Sequence, residues 1–312
     1  MAKICDAVFE GGGMRGIGYV GAIHEFERQG YRFHNVAGSS AGAIIASLLA
    51  AGYNAVELRD IMSNVNFENF KHANNWYDNM GIVGKLFSVT RNFGIYSADL
   101  FEKWLAGLLA AKGVRTFADV GGRLKMLATD ITDSRLLILP TDLVKFGIKP
   151  ETFSVAAAVR MSMSIPLFYE PYELRDEHGC VHHIADGGIL CNYPVWLLDT
   201  GRNKPANPIF GFRFAKTPAS PKRECPKLNL FKYLQRTIET VMDDEDVYLP
   251  LIRGDQQRTT YIDTNVGGKS VGLTDFSLPR PQIDGLFENG RAAASQFLQM
   301  WNFDMWKDAH RA

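Results

Sequence analysis

The fold is decided by the stretch Asn35-Val36-Ala37-Gly38-Ser39-Ser40-Ala41-Gly42, which small and apolar residues follow up to Ala51. It predicts a short strand, a sharp turn at Ser40 and a helix over 43–51. Within it lies the G-x-S-x-G pattern of a nucleophile elbow, in which a serine hydroxyl projects from the end of a sheet. Gly38 and Gly42 are the elbow glycines, because a side chain at either would crowd the strand and helix. Taken alone, the pattern also fits a Gly/Ser loop before a core helix.

A second glycine-rich stretch lies one predicted strand earlier. A buried strand is predicted over 7–9, and apolar residues at helical spacing predict a helix from Ile17 that ends at Gly30. Between them lies a loop whose consecutive glycines let backbone amides converge on an anion. The residues of this predicted anion-binding loop are Gly11, Gly12, Gly13, Met14, Arg15 and Gly16.

Three ligands compete for this loop: a nucleoside phosphate, a dinucleotide and a reaction oxyanion. A Walker-type phosphate loop needs Lys-Ser or Lys-Thr after its last glycine, whereas Gly16 is followed by Ile17. The dinucleotide fingerprint Gly11-x-Gly13-x-x-Gly16 is matched, but the second strand ends at Ser40 without the expected acid. The interpretation as an oxyanion hole is favoured by position. A β-α-β unit places the turns after its two strands at neighbouring strand ends, so the loop is expected beside Ser40.

A candidate base for Ser40 follows a later predicted strand over 181–184, which leads into Asp186-Gly187-Gly188. An aspartate before two glycines is typical of a simple turn. The same arrangement can also hold a carboxylate on an exposed loop with room for the serine. We therefore take Asp186 as the candidate base, with Gly187 and Gly188 as the glycines of its loop.

The positions of the histidines favour a serine–carboxylate dyad over a triad that contains histidine. In the α/β-hydrolase order the histidine follows both the serine and the acid. Only His310 follows Asp186, and it lies close to the C-terminus, where fraying is expected. His182 and His183 adjoin the Asp186 strand and are the alternative bases. The histidine positions therefore predict a catalytic dyad of Ser40 and Asp186.

These three motifs, in this order, resemble the patatin-like phospholipase family. The segments 160–166 and 192–194 are similar too, and the resemblance extends from residue 6 to about residue 214. It implies an α/β class: a three-layer α/β/α patatin-like fold with a mainly parallel central sheet. It also implies a Ser40–Asp186 dyad, an oxyanion hole from the Gly11–Gly16 loop, no metal and no cofactor.

The activity implied by the resemblance is release of fatty acids from lipid esters, of the phospholipase A or lysophospholipase type. Neutral acylglycerol lipase is the alternative within the enzyme class. A nucleotide-binding module that uses Gly11–Gly16 is the alternative from another class, and a catalytically silent lipid-binding scaffold is the third.

Composition limits the remaining possibilities. The 312 residues are 46% hydrophobic and carry a formal net charge of zero, so no global field attracts nucleic acid. We expect one domain over 1–312, with a core of about 6–214 and a C-terminal extension packed on it. The four cysteines lack C-x-x-C spacing, and no signal-peptide core is visible, which favours a reduced, cytoplasmic protein. Contact with membrane phospholipids or other lipid-ester substrates is expected to be peripheral, because no apolar run is long enough to span a bilayer.

Four further segments carry predictions of their own. The aromatic-rich stretch 64–96 fits either satellite core beneath a long loop or a cap over an acyl-chain groove. The proline- and lysine-rich loop 215–229 could touch anionic headgroups. The acidic run 243–246 is predicted to be solvated, and 283–306 is predicted to form one closing helix.

Overall fold

The computed structural model describes residues 2–65, 67–70, 88–199, 207–215, 230–243, 255–273, 275 and 277–309. Most of the aromatic-rich stretch, nearly all of the proline- and lysine-rich loop and most of the acidic run lie outside these residues. Among the helices of the described chain, none combines the length and the apolar composition that crossing a membrane requires.

The described chain contains both strands and helices. The strands are β1 (Lys3–Phe9), β2 (Tyr31–Ser39), β3 (Gly94–Tyr96), β4 (Leu124–Asp130), β5 (Arg135–Leu139), β6 (Leu167–Tyr169), β7 (Tyr172–Arg175), β8 (Val181–Asp186), β9 (Ile209–Ala215), β10 (Thr259–Asp263), β11 (Asn265–Val266) and β12 (Lys269–Ser270). The α-helices are α1 (Ile17–Arg28), α2 (Ala41–Ala50), α3 (Ala55–Asn64), α4 (Asp99–Ala111), α5 (Val155–Met163), α6 (Leu230–Asp243), α7 (Arg280–Met300) and α8 (Phe303–Ala309).

The central sheet has the strand order β10-β9-β1-β2-β4-β8-β7, and β5 also pairs with β4. The neighbours from β10 to β4 pair in parallel, whereas β5 and β8 pair with β4, and β7 with β8, in the antiparallel sense. The predicted α/β class with a mainly parallel sheet is therefore confirmed.

Strand β4 brings two distant parts of the chain together. Its residues 124–127 pair with β2, its residues 128–130 pair with β8, and its residues 126–130 pair with β5. Because β5 overlaps both other partners, β2 and β8 must share the opposite edge of β4. There they meet end to end, with Ser39 opposite Leu127 and Asp186 opposite Ala128.

Side-chain alternation divides the core between the two faces of the sheet. On one face Phe9, Met126 and Phe212 belong to a large cluster that includes buried residues of α1, α2, α5 and α7. On the other face Val8 and Leu127 belong to a smaller cluster with residues of the segment 191–198. The helical layer that covers the first face includes α2, the helix that begins directly after the elbow.

The prediction of one closing helix over 283–306 is wrong. Two helices, α7 and α8, are separated by Trp301, which has an extended backbone, and by Asn302. The Asn302 side chain accepts the Met305 N–H at 3.0 Å, and its carbonyl accepts the Trp306 N–H at 3.1 Å. Asparagine offers a helix N-cap, so a new helix begins where apolar spacing alone suggested continuation.

Candidate active site

Ser40 occupies the sharp turn between β2 and α2. Its backbone has φ of 51° and ψ of −122°, a conformation that costs a residue other than glycine about 1–3 kcal/mol. Two hydrogen bonds hold it there: its N–H donates to Ser162 Oγ at 3.0 Å, and its carbonyl accepts the Ala43 N–H at 2.9 Å. Strain that the surroundings maintain is typical of a functional turn.

The two elbow glycines are required by the close approach of strand and helix. A Cβ at Gly38 would lie 2.3 Å from the carbonyl carbon of Gly42. A Cβ at Gly42 would lie 2.2 Å from the carbonyl oxygen of Phe9 in β1. In both cases the obstacle is backbone, which cannot move aside as a flexible side chain would.

The hydroxyl of Ser40 faces the carboxyl group of Asp186. Ser40 Oγ donates to Asp186 Oδ2 at 2.6 Å, and the Gly188 N–H donates to Asp186 Oδ1 at 2.7 Å. The backbone of Asp186 is fixed as well, since its N–H donates to the Ser164 carbonyl and its own carbonyl accepts the Thr129 hydroxyl, each at 2.9 Å. Both carboxyl oxygens therefore have defined partners.

Burial makes this carboxyl group a stronger base than an ordinary aspartate. Asp186 is fully buried, and burial raises its pKa from 3.8 to about 7, although the hydrogen bonds from Ser40 and Gly188 act in the opposite direction. A carboxyl group with a pKa near neutrality is well matched to accepting a proton at physiological pH.

The predicted anion-binding loop lies beside Ser40, since a Cβ at Gly11 would be 3.2 Å from Ser40 Cβ. Several of its amides are occupied within the protein. The N–H of Gly11 donates to the Asn192 carbonyl at 2.9 Å, that of Met14 to the Leu273 carbonyl at 3.2 Å, and that of Arg15 to the Gly12 carbonyl at 3.2 Å. In the described structure the N–H groups of Gly12 and Gly13 have no such acceptor.

A buried ion pair between Glu10 and Arg213, which the sequence did not suggest, lies at the start of this loop. Arg213 donates to Glu10 Oε1 through Nε and Nη2 at 3.0 and 2.8 Å. The Phe214 N–H donates to Glu10 Oε2 at 2.9 Å, and the Tyr19 hydroxyl donates to the Glu10 carbonyl at 2.7 Å. Burial raises the pKa of the Glu10 carboxyl, and the charge of Arg213 opposes the rise. Glu10, directly before the glycines, thereby fixes the start of the loop.

Arg15 contacts the loop itself. Its Nε donates to the Gly12 carbonyl at 3.3 Å, and its guanidinium lies 5.4 Å from the centre of the Phe214 ring. These contacts hold the guanidinium against the backbone of the loop.

Neither alternative histidine reaches Ser40. His182 Nδ1 lies 3.0 Å from Asp130 Oδ2, and its position four residues before Asp186 separates the two by about 13 Å of strand. His183 points to the opposite face of β8 from Asp186, where its ring packs edge-on against Phe93 at 5.3 Å.

One group of side chains in the described chain has the residue types of a metal site. Ligand atoms of Asp130, Asp133 and His182 lie within 4.8 Å of one another. Arg135 ion-pairs with both aspartates at 3.1 Å and already supplies the positive charge. We therefore interpret the group as an ion-pair network and not as a metal centre.

Comparison with known proteins identifies the family of the chain. The family model for patatin-like phospholipase matches residues 7–199. The chain is 36% identical over 302 residues to the uncharacterized protein YqhO of Bacillus subtilis, covering 96% of this chain and 99% of YqhO. It is 23% identical over 275 residues to the probable lipid hydrolase 463L of Invertebrate iridescent virus 6, covering 85% and 87% of the two chains.

Solved structures share the fold. VipD from Legionella pneumophila superimposes with a TM-score of 0.51 at 20% identity, covering 96% of this chain and 67% of VipD. Full-length ExoU from Pseudomonas aeruginosa, solved with SpcU, superimposes with a TM-score of 0.53 at 15% identity, covering 96% of this chain and 52% of that chain.

The match to the family model defines the class of this protein, which is that of the lipid acyl hydrolases among the carboxylic ester hydrolases. The chain belongs to the patatin-like phospholipase family, and the resemblance recognised from its three motifs is confirmed.

Proposed function

We propose that the protein releases fatty acids from phospholipids or lysophospholipids through a dyad of Ser40 and Asp186. The observation that carries this proposal is the 2.6 Å hydrogen bond from Ser40 Oγ to a buried carboxylate. The glycine loop adds to it, because it begins beside the serine at Gly11, and the amides of Gly12 and Gly13 have no acceptor in the described structure. Nucleophile, base and oxyanion donors are the parts that acyl transfer needs.

In the first step Asp186 accepts the hydroxyl proton while Ser40 Oγ attacks the ester carbonyl carbon. The carbonyl oxygen becomes an oxyanion, which the amides of Gly12 and Gly13 stabilise. The bond to the alcohol then breaks, the leaving oxygen takes the proton from Asp186, and an acyl ester remains on Ser40.

In the second step water replaces the alcohol. Asp186 accepts a proton from the water molecule as its oxygen attacks the acyl carbon. The same amides bind the second oxyanion, the bond to Ser40 Oγ breaks, and the proton returns to the serine. The fatty acid leaves, and the enzyme is restored without any further reactant.

A substrate panel tests this proposal. We expect wild-type protein to release fatty acid from phospholipid or lysophospholipid at least about tenfold faster than from triacylglycerol in identical mixed micelles. The rate of release by the Ser40→Ala variant serves as the background rate. Fastest release from triacylglycerol would assign the neutral lipase activity instead. No release from any lipid, with tight dinucleotide binding and no labelling of Ser40 by a fluorophosphonate, would contradict the hydrolase proposal.

We also propose that membrane contact is peripheral and uses the surface beside the Asp186 loop. Leu190, just after that loop, is exposed, and α6 packs against the turn over 187–189. Three apolar or aromatic side chains of α6 are exposed as well: Tyr233, Leu234 and Val241. An amphipathic helix with an exposed apolar side binds at the interface between headgroups and acyl chains.

Charge substitution in this helix is expected to weaken membrane binding without affecting chemistry. Leu234→Glu with Val241→Glu should reduce co-sedimentation with anionic vesicles by about fivefold or more, since each places a carboxylate in the interface. Turnover of a soluble short-chain ester should stay at the wild-type level. Val56→Glu, at an exposed valine on α3, is the matched control, and an equal loss there would refute this surface.

A further inference from the structure

Two adjoining cavities form a groove near the Asp186 strand, which we call the Phe93 groove. The first has a volume of about 270 Å³ and the second of about 360 Å³. Phe93, Pro171 and His183 line both, so the cavities lie side by side. Their joint size falls in the range of small-molecule sites, about 300–1,000 Å³.

The first cavity is apolar. Much of its wall consists of Ile131, Pro166, Tyr169 and Ala185. Hydrocarbon that enters it leaves water and gains contacts with these side chains. This end of the groove therefore suits an alkyl or acyl chain.

The second cavity carries charges of both signs. Arg91 and Arg160 line it together with Glu170 and Glu173. Arg160 binds Asp99 and Glu102 through Nη1 at 2.6 and 3.1 Å, whereas its buried Nε has no hydrogen-bond partner among the described residues. Arg91 is exposed and lines the same cavity, so its guanidinium is the positive charge that a ligand phosphate can reach. The two glutamates suit the ammonium group of a zwitterion.

Phe93 lies at the boundary between the apolar cavity and the charged one. It follows the helical residues 88–92, its N–H donates to the Val89 carbonyl at 3.1 Å, and its φ is 60°. Glycine normally takes this position after a helix. Here a phenylalanine takes it with 57% of its side chain exposed. A strained backbone that presents an aromatic ring to a cavity is typical of a ligand site.

The groove is distinct from the reaction site. His183 and Ala185 alternate with Asp186 along β8, so they point to the opposite face of the strand from the carboxylate. The two sites nevertheless share a support. Ser164 lines the apolar cavity, and its carbonyl accepts the Asp186 N–H at 2.9 Å.

We propose that the Phe93 groove binds a zwitterionic single-chain phospholipid at a second site. The chain occupies the apolar cavity, the phosphate lies at Arg91 and Arg160, and the ammonium group lies at Glu170 and Glu173. The chemical class is that of a lysophospholipid. Release of one fatty acid from a phospholipid leaves such a molecule, and only this link to the reaction rests on the proposed function.

Dodecylphosphocholine below its micellar concentration is the probe, because it has the chain and the zwitterion but no ester to cleave. We expect one molecule to bind per chain. Phosphocholine, which lacks the chain, and dodecyl sulfate, which lacks the ammonium, should each bind at least about tenfold more weakly. Equal affinity for dodecyl sulfate would overturn the zwitterion assignment.

Variants locate the site. Phe93→Gly relieves the positive φ, so it should fold at least as stably as wild type, yet bind the probe about fivefold more weakly. Arg91→Glu and Ile131→Asp should each lose about fivefold or more. Val144→Asp, at another exposed apolar side chain, is the control and should bind normally. Unchanged affinity in all three groove variants would overturn the proposal.

A final experiment distinguishes this site from the reaction site. Probe binding should persist after Ser40 has reacted with a fluorophosphonate. Loss of binding would show that the probe occupies the reaction site, which would refute a second site. Failure of the fluorophosphonate to label Ser40 would count against the proposed function alone, since probe binding involves no ester chemistry.

Discussion

Replacing Ser40 with alanine is expected to lower kcat for fatty-acid release by about 10⁴-fold or more. The variant has no oxygen that can form the acyl-enzyme, so only the oxyanion donors and substrate binding can still accelerate the reaction. The fold should persist, because the backbone hydrogen bonds of residue 40 to Ser162 and Ala43 do not involve its side chain. Fatty-acid release with circular dichroism of the same samples measures both expectations.

Ser39 offers a matched control within the same turn. Its hydroxyl is buried and has no hydrogen-bond partner in the described structure. Ser39→Ala should therefore keep kcat within a few-fold of wild type and still react with a fluorophosphonate at residue 40. The assignment of Ser40 would be contradicted if the two variants lost activity equally, or if Ser40→Ala alone retained it.

Local sequence was sufficient to predict the elbow. The strand, the turn and the helix around Ser40 lie within a few residues of one another, and Gly38 and Gly42 are set by backbone contacts inside this unit or with β1. The strand pair formed by β4 and β5 was predictable for the same reason, because a short turn joins them.

Support from distant residues was not predictable. Ser162, which fixes the amide of Ser40, is 122 positions away, and Arg213 is 203 positions from Glu10. A buried serine or arginine has no periodic pattern of its own, and these contacts depend on strand order. The segment 160–166 is similar to the family, but nothing in its sequence distinguishes Ser162 or Ser164 from its other residues.

Asp186 illustrates why both interpretations of a motif were needed. The turn interpretation is correct, since its carboxylate accepts the Gly188 N–H in the manner of a cap. The same carboxylate also faces Ser40, because β8 and β2 meet end to end along β4. The sequence gives the residue type, and the sheet topology gives the encounter across 146 positions.

Replacing Asp186 with asparagine is expected to lower kcat/KM by about 10³-fold. Asparagine can still accept the Gly188 N–H through its oxygen, but its amide group presents donors to Ser40 and cannot take the proton. The wild-type enzyme should show an acid limb, with activity rising with pH through an apparent pKa of about 7, since Asp186 must be ionised to act as the base. The residual activity of the variant should lack this limb.

Histidine variants provide the comparison for this pH profile. His182→Asn and His183→Asn should leave its midpoint in place, because neither ring reaches Ser40. A midpoint that moves in one of them, together with wild-type turnover in Asp186→Asn, would transfer the role of base to that histidine.

The same substitution should change how stability depends on pH. In the unfolded chain Asp186 ionises near its ordinary pKa of 3.8, whereas in the folded protein burial holds the proton until about pH 7. The protonated group therefore contributes to the free energy of unfolding in full below pH 3.8. This contribution, up to roughly 4 kcal/mol, is lost as the pH rises to 7. Asparagine carries no such dependence. We therefore measure the free energy of unfolding in urea at pH 4 and at pH 8. Relative to wild type, Asp186→Asn should be more stable at pH 8 than at pH 4 by a few kcal/mol. A difference that stays constant between these pH values would mean that this carboxyl group is ionised in the folded protein at pH 4, and that it is too weak a base for the dyad.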